Sequence, residues 1–300
     1  MQSTLFLNYI TCVDHAYISS EGKVVGGSYH PVFEVSGEVE EQEQVVVDFS
    51  KVKKQIKEIV DAQEDGFDHK LWVIPGYSKV EYTITGDTIN LWNDCLNLTM
   101  PLNAVKIFDT GCDHPYEFLE TVNKNFSVQI EKKLAAMHEG VNICVKAEMT
   151  VDSFAQTQHP VMFKYSHGLK NSSSWGCQNQ SHGHLSFVEF DFFSPGSKTS
   201  ASLGMLKQIV SDIDGSIFIF KDNVVAEDSD SITIEYETCR GKFTSNYNKH
   251  KLRIHVLDTE TTVENLVNWF VKRNRFALVS CGVTRVYMSE GLAKGAAFTL

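Results

Sequence analysis

The sequence predicts an α+β chain built from two diverged copies of one ββα(ββ)αβ unit, divided into residues 1–152 and 153–300. Three observations point there. Strand-like alternation and helix-like periodicity follow each other in the same order in both halves. Anchor residues recur at similar separations, pairing His15 with His167, Glu117 with Glu264, and Glu148 with Glu290. Between the halves, TVDSFAQTQHP (150–160) is polar and ends in a proline, as a linker does.

In the first copy, TCVDHAYI (11–18) and GGSYHPVFEVSGEV (26–39) read as strands. VVVDFSKVKKQIKEIVDAQEDGF (45–67) then carries Val52, Ile56, Ile59 and Val60 at helical spacing, with Asp48 or Ser50 available as the cap. DHKLWVIPG (68–76) and the strand-like KVEYTITGDTINLW (79–92) follow. A second helix over 115–140 precedes the strand VNICVKAEMTV (141–151). The second copy repeats the order: FKYSHGL (163–169), the strand HGHLSFVEFDFF (182–193), and a helix in SLGMLKQIVSDID (202–214). A hairpin over 231–258, a late helix TTVENLVNWFVKRNRF (261–276) and a closing strand TRVYMSEG (284–291) complete it.

Composition narrows the function classes. A formal charge of -11 with only short basic clusters (Lys51, Lys53, Lys54; Lys272, Arg273, Arg275) argues against nucleic-acid binding. No apolar run approaches the roughly 18 residues that span a bilayer, and the N-terminus lacks a basic and then apolar leader, so a cytoplasmic protein with no membrane partner is expected. Seven scattered cysteines, an odd number, fit reduced thiols better than a disulfide framework.

The chemistry concentrates in GCQNQSHGH (176–184). On a strand, His182 and His184 are two apart and share one face. Catalytic zinc commonly takes three protein ligands and keeps one open position, and His167 on the preceding strand-like run is the natural third. An isolated HxH is more often the polar start of a strand, and the added Cys177 and His167 are what set this one apart. Cys177 reads equally as a metal ligand or as a thiol beside the metal, its pKa lowered by the cation.

YSHGL followed by GCQNQSHGHLSF resembles the zinc and cysteine signature of the 6-pyruvoyl-tetrahydropterin synthase and 6-carboxytetrahydropterin synthase family. VVVDFSKVKKQI, FDHKLW, TTVENLVNWF and VYMSEG are similar to further segments of that family, in order and over most of the chain. The resemblance implies two tandem T-fold (tunnelling-fold) units, each an antiparallel four-stranded sheet with two helices on one face. It implies zinc on His167, His182 and His184, Cys177 as general base, Glu290 as the anchor for pterin N–H groups, and Thr261 and Thr262 beside the pterin. The implied activity is a lyase acting on 7,8-dihydroneopterin triphosphate, with a 6-carboxy product of queuosine-type pathways or a 6-pyruvoyl product. The CxxxxHGH loop is one residue longer than CxxxHGH forms associated with the carboxy branch, so both products stay open. A non-catalytic pterin- or purine-binding protein, or a zinc pterin enzyme with a different reaction, are the alternatives.

The copies differ in complementary ways. The first places Val25 and Gly27 where the second has its HGH histidines, but it retains His15 and the Asp68–His69 pair. The second has Asp214 followed by Gly215 in place of that pair. His30 and His114 belong to no motif and read as surface or structural residues. The family's sites are understood to form across subunits, so the expectation is one composite site per chain: zinc, Cys177 and Glu290 from one copy, a proton relay of Asp68 and His69 from the other. Simple decay of the first copy into a scaffold is the rival reading. The implied assembly is a homo-oligomer, a trimer of tandem chains mimicking a hexamer.

Overall fold

The computed structural model describes residues 2–39, 46–108, 118–138, 143–151, 161–292 and 294–300. The first half runs β1 (Gln2–Leu7), β2 (Val13–Ile18), β3 (Val24–Glu38), α1 (Phe49–Val60), β4 (Lys70–Val73), β5 (Glu81–Thr85), β6 (Thr88–Trp92), β7 (Leu96–Pro101), β8 (Val105–Ile107), α2 (Phe118–Met137) and β9 (Cys144–Thr150). The second runs β10 (Val161–His167), β11 (His182–Phe192), α3 (Ser200–Ser211), β12 (Ser216–Phe220), β13 (Val224–Glu227), β14 (Ser231–Thr238), β15 (Gly241–Asn248), β16 (Arg253–Leu257), α4 (Val263–Ser280), β17 (Val283–Glu290) and β18 (Lys294–Thr299). Residues 152–160 of the linker expected at 150–160, His114 and Glu117 lie outside the described residues. None of the described helices is long and apolar enough to cross a membrane.

Helix α1 forms where the periodicity places it. Val52, Ile56, Ile59 and Val60 are buried, each contributing about 1.5–3 kcal/mol by leaving water. Asp48, rather than Ser50, caps it: its carboxylate accepts the Lys51 N–H at 2.8 Å. Helices α1 and α2 share one apolar core with β2, β3 and β9, and α3 and α4 share another with β10, β11 and β17. A third core joins the remaining faces of β2, β4 and β12 to the hairpin strands.

The sheets are larger than four strands and are not purely antiparallel. One follows the order β1-β3-β2-β4-β8, with β9 also on β3, and the other the order β16-β12-β10-β11-β17-β18. The pairs β2–β4, β4–β8, β10–β12 and β12–β16 are parallel, made possible by the helix or hairpin crossovers between them. Strand β17 is not the last, because β18 pairs along its outer edge. A third sheet, β13-β14-β15-β7-β6-β5, joins hairpins of the two halves through β15 and β7.

Equivalent backbone hydrogen bonds align the halves residue by residue. Asp14 N–H donates to Asp68 Oδ1 at 2.8 Å, and Lys164 N–H to Asp214 Oδ1 at 2.7 Å. His69 N–H donates to Asp14 O at 2.6 Å, and Gly215 N–H to Lys164 O at 2.8 Å. His69 and Gly215 share a left-handed backbone, with φ of 53° and 71°. Strand registers then put Val25 and Gly27 at the places of His182 and His184, and Tyr17 at the place of His167. His15 is therefore not the surviving counterpart of His167. It occupies the place of Tyr165, faces the helices, and stacks on Trp72 with ring centroids 3.6 Å apart. Burial pushes its pKa down to about 3, so it is a neutral core ring. His30 is also buried, its Nδ1 3.3 Å from Thr11 O.

The halves meet at two glycines. A Cβ on Gly26 would lie 1.9 Å from Tyr165 O, and one on Gly183 would lie 2.7 Å from Gly26 Cα. Only glycine allows the backbones this close. Their approach brings residues from β2 and the β4 approach to the end of β11.

Candidate metal and thiol site

Antiparallel pairing of β10 with β11 sets His167 opposite His182, with His184 two residues further along the same face. Two of the rings are oriented by an acceptor at Nδ1, and the third has a carboxylate beside it. His167 Nδ1 lies 2.8 Å from Thr261 O and 3.1 Å from Thr261 Oγ1, at the entrance to α4. His182 Nδ1 lies 2.7 Å from Asn179 O. His184 Nδ1 lies 3.2 Å from Asp14 Oδ1, a charge contact without hydrogen-bond alignment. A neutral ring protonated at Nδ1, as the carbonyl acceptors favour for His167 and His182, carries its lone pair at Nε2, and the His167 and His184 Nε2 atoms are 3.2 Å apart.

Donor atoms of the three histidines lie within 4.8 Å of one another, and all three side chains are fully buried. Burial, then the neighbouring imidazoles, pushes His167 down to about 3 and His182 well below its ordinary value. These two rings are neutral. Two lone pairs facing each other with no proton between them are unfavourable unless a cation joins them. Tetrahedral zinc with N ligands at about 2.0–2.1 Å needs N···N separations of about 3.3 Å. The donor set therefore fits a divalent metal, and the carbonyl acceptors at Nδ1 of His167 and His182 are of the kind that orients metal-bound histidines.

Cys177 stands on a 3-10 turn (Gly176–Gln178) between the two strands. Its sulfur is 3.7 Å from His69 Nε2, and His69 Nδ1 is 2.5 Å from Asp68 Oδ2. Burial opposes charge on His69, but the Asp68 carboxylate outweighs it and raises the pKa well above the usual value. Burial also opposes the Cys177 thiolate, yet the contact with His69 leaves the thiol below its ordinary range. The left-handed backbone of His69, uncommon for a non-glycine residue, aims the ring at Cys177. A Cβ on Gly176 would meet that ring at 2.8 Å, so the turn needs glycine there.

Several residues not singled out in the sequence hold this turn. Arg240, in the β14–β15 turn, donates to Trp175 O at 3.2 Å, Gly176 O at 3.1 Å and Asn103 O at 3.1 Å, and stacks on Trp175 with its guanidinium carbon 3.6 Å from the ring centroid. Asn179 donates to His69 O at 3.0 Å and Ala104 O at 2.9 Å, binding the two halves at the site. Neither residue belongs to a short motif.

The structure thus brings Asp68 and His69 beside Cys177 within one chain. His69, Cys177 and His182 also form a second three-donor group within 4.8 Å, so both sequence readings of Cys177, ligand or base, remain geometrically available. Glu290, at the end of β17, pairs with Lys294 Nζ at 3.0 Å, its side chain 15% exposed. Burial works against its charge, but His184 and Lys294 hold its pKa below the usual carboxylate value. Thr261 meets His167, and Thr262 precedes α4 without a side-chain capping bond.

Three buried imidazoles converging on one point, with a thiol and an Asp–His pair alongside, define a candidate histidine metal centre equipped for proton transfer. No protein-family model matches the chain, and no curated protein does. Among solved structures, the chain is similar to 6-pyruvoyltetrahydropterin synthase from Plasmodium vivax, with 15% identity and a TM-score of 0.34 over 50% of this chain and 99% of that one. A P. vivax variant in a catalytic residue matches at 14% identity and TM-score 0.34, and the Plasmodium falciparum enzyme at 14% and 0.33, with the same coverage.

Proposed function

We propose that the chain is a zinc-dependent pterin synthase-like lyase acting on 7,8-dihydroneopterin triphosphate, releasing triphosphate and giving a 6-pyruvoyl-tetrahydropterin or, with water taken up and the two outer side-chain carbons released as acetaldehyde, a 6-carboxy-tetrahydropterin. The observation that carries the reading is the convergence of His167, His182 and His184 beside the continuous contacts Asp68–His69–Cys177. His167, His182 and His184 would hold the zinc, which when bound would supply Lewis-acid stabilisation of negative charge developing on the substrate. Cys177 Sγ, as thiolate, takes a proton from a side-chain carbon, and His69 Nε2 donates and recovers one, with Asp68 holding its Nδ1–H.

Glu290 anchors the pterin. Its two oxygens match adjacent N–H donors, with Lys294 on a remaining lone pair. Thr261 and Thr262 lie beside the ring, with Thr261 also fixing His167. The first half, 1–152, and the second, 153–300, each contribute to this one site, which argues against the first being scaffold alone. Three such chains would close a ring through their sheet edges and cover exposed strands.

The test is incubation of zinc-loaded protein with 7,8-dihydroneopterin triphosphate, following triphosphate release and the pterin product by mass spectrometry. Turnover to either tetrahydropterin is the expected result. Tight pterin binding without turnover would make the chain a binding protein, and turnover of only another dihydropterin would assign a different reaction.

A further inference from the structure

The position equivalent to Lys164 in the metal-bearing half is Asp14 in the other. This carboxylate is buried, crosses from β2 to the end of β11, and puts Oδ1 3.2 Å from His184 Nδ1. It is held there from three sides. Ser28 Oγ accepts the Leu185 N–H at 3.1 Å and so turns its own hydrogen to Asp14 Oδ1, 2.5 Å away. Gly291 leaves the space the carboxylate occupies, since a Cβ there would lie 2.5 Å from Oδ1. The backbone of Asp14 is fixed in turn by Asp68 and His69, through bonds of 2.8 and 2.6 Å.

A neutral histidine has two tautomers, and only the one protonated at Nδ1 presents its Nε2 lone pair to the point shared with His167 and His182. For His167 and His182, backbone carbonyls make that choice. For His184 the group beside Nδ1 is a side-chain carboxylate from the half that lacks metal histidines, at 3.2 Å but without hydrogen-bond alignment. We propose that Asp14 is a positioning residue for the metal centre: its carboxylate, held beside His184 Nδ1, favours the tautomer protonated at that nitrogen and supplies a negative charge beside a cationic site. The proposal rests on the three-histidine metal reading. Its consequence is that the C-terminal half cannot form a full-affinity metal site without the N-terminal one.

The experiment is zinc competition against a chromophoric chelator with the full chain, using wild type, Asp14→Ala, Asp14→Asn and Ser28→Ala. Circular dichroism and melting curves check the fold, and nitrogen NMR of the metal-free protein reads the His184 tautomer. Loss of an outer acceptor of this kind typically costs about 10–100-fold in metal affinity. Asp14→Ala is expected to weaken zinc binding in that range and to give a mixed His184 tautomer. Asp14→Asn keeps an acceptor but not the charge, so it should fall between Asp14→Ala and wild type. Ser28→Ala releases the carboxylate and should also weaken binding. Wild-type affinity in a folded Asp14→Ala protein overturns the proposal; should that variant not fold, wild-type affinity in both Asp14→Asn and Ser28→Ala does so. If the wild type itself binds no zinc, the metal reading fails instead.

Discussion

Cys177→Ala is expected to abolish turnover while one zinc per chain is retained. The groups beside the three histidine Nδ1 atoms belong to Thr261, Asn179 and Asp14, none of which depends on the thiol. Removing a positioned proton-transfer group costs about 10²–10⁴-fold in rate, or about 3–5 kcal/mol of barrier. Metal analysis alongside the rate measurement separates the two roles open to this sulfur. Zinc lost together with activity would make Cys177 a ligand in the His69–Cys177–His182 group. Full activity would remove it from the mechanism.

The second large effect is expected from His69→Ala. If the N-terminal copy were only scaffold, this substitution would leave catalysis nearly untouched. On the present account turnover falls by about 10²–10⁴-fold, with zinc again retained. The pH dependence of Cys177 gives an independent readout. His69 favours the charged thiolate, so its removal raises the thiol pKa. The midpoint of iodoacetamide alkylation at Cys177 should therefore move to higher pH in His69→Ala, measured by peptide mass spectrometry on zinc-loaded protein. A midpoint that does not move, or moves lower, would separate His69 from the thiol.

What was legible in the sequence is what local periodicity records. The stripe Val52, Ile56, Ile59 and Val60 gave α1, and the alternation of His182 and His184 gave a shared face on β11. The parallel pairings of β2 with β4 and of β10 with β12 were not legible, because register between distant segments depends on crossovers and leaves no period in either strand. The same limit explains His15. A histidine in a strand-like run resembled a relic of the metal site, but a shift of two residues places it against Trp72. The residue of that strand that reaches the histidine cluster is its neighbour Asp14, on the opposite face, and the alternation of VDHAY was the available signal. Arg240 and Asn179 act through backbone carbonyls of other segments, an interaction with no sequence signature.

X-ray absorption at the zinc edge of the wild-type protein tests the central claim most directly, that the metal sits on three histidines with the thiol beside it. The account predicts a first shell of nitrogen and oxygen only, at about 2.0–2.1 Å, with outer scattering from imidazole rings. A sulfur scatterer at about 2.3 Å would contradict it, placing Cys177 on the metal instead of next to it.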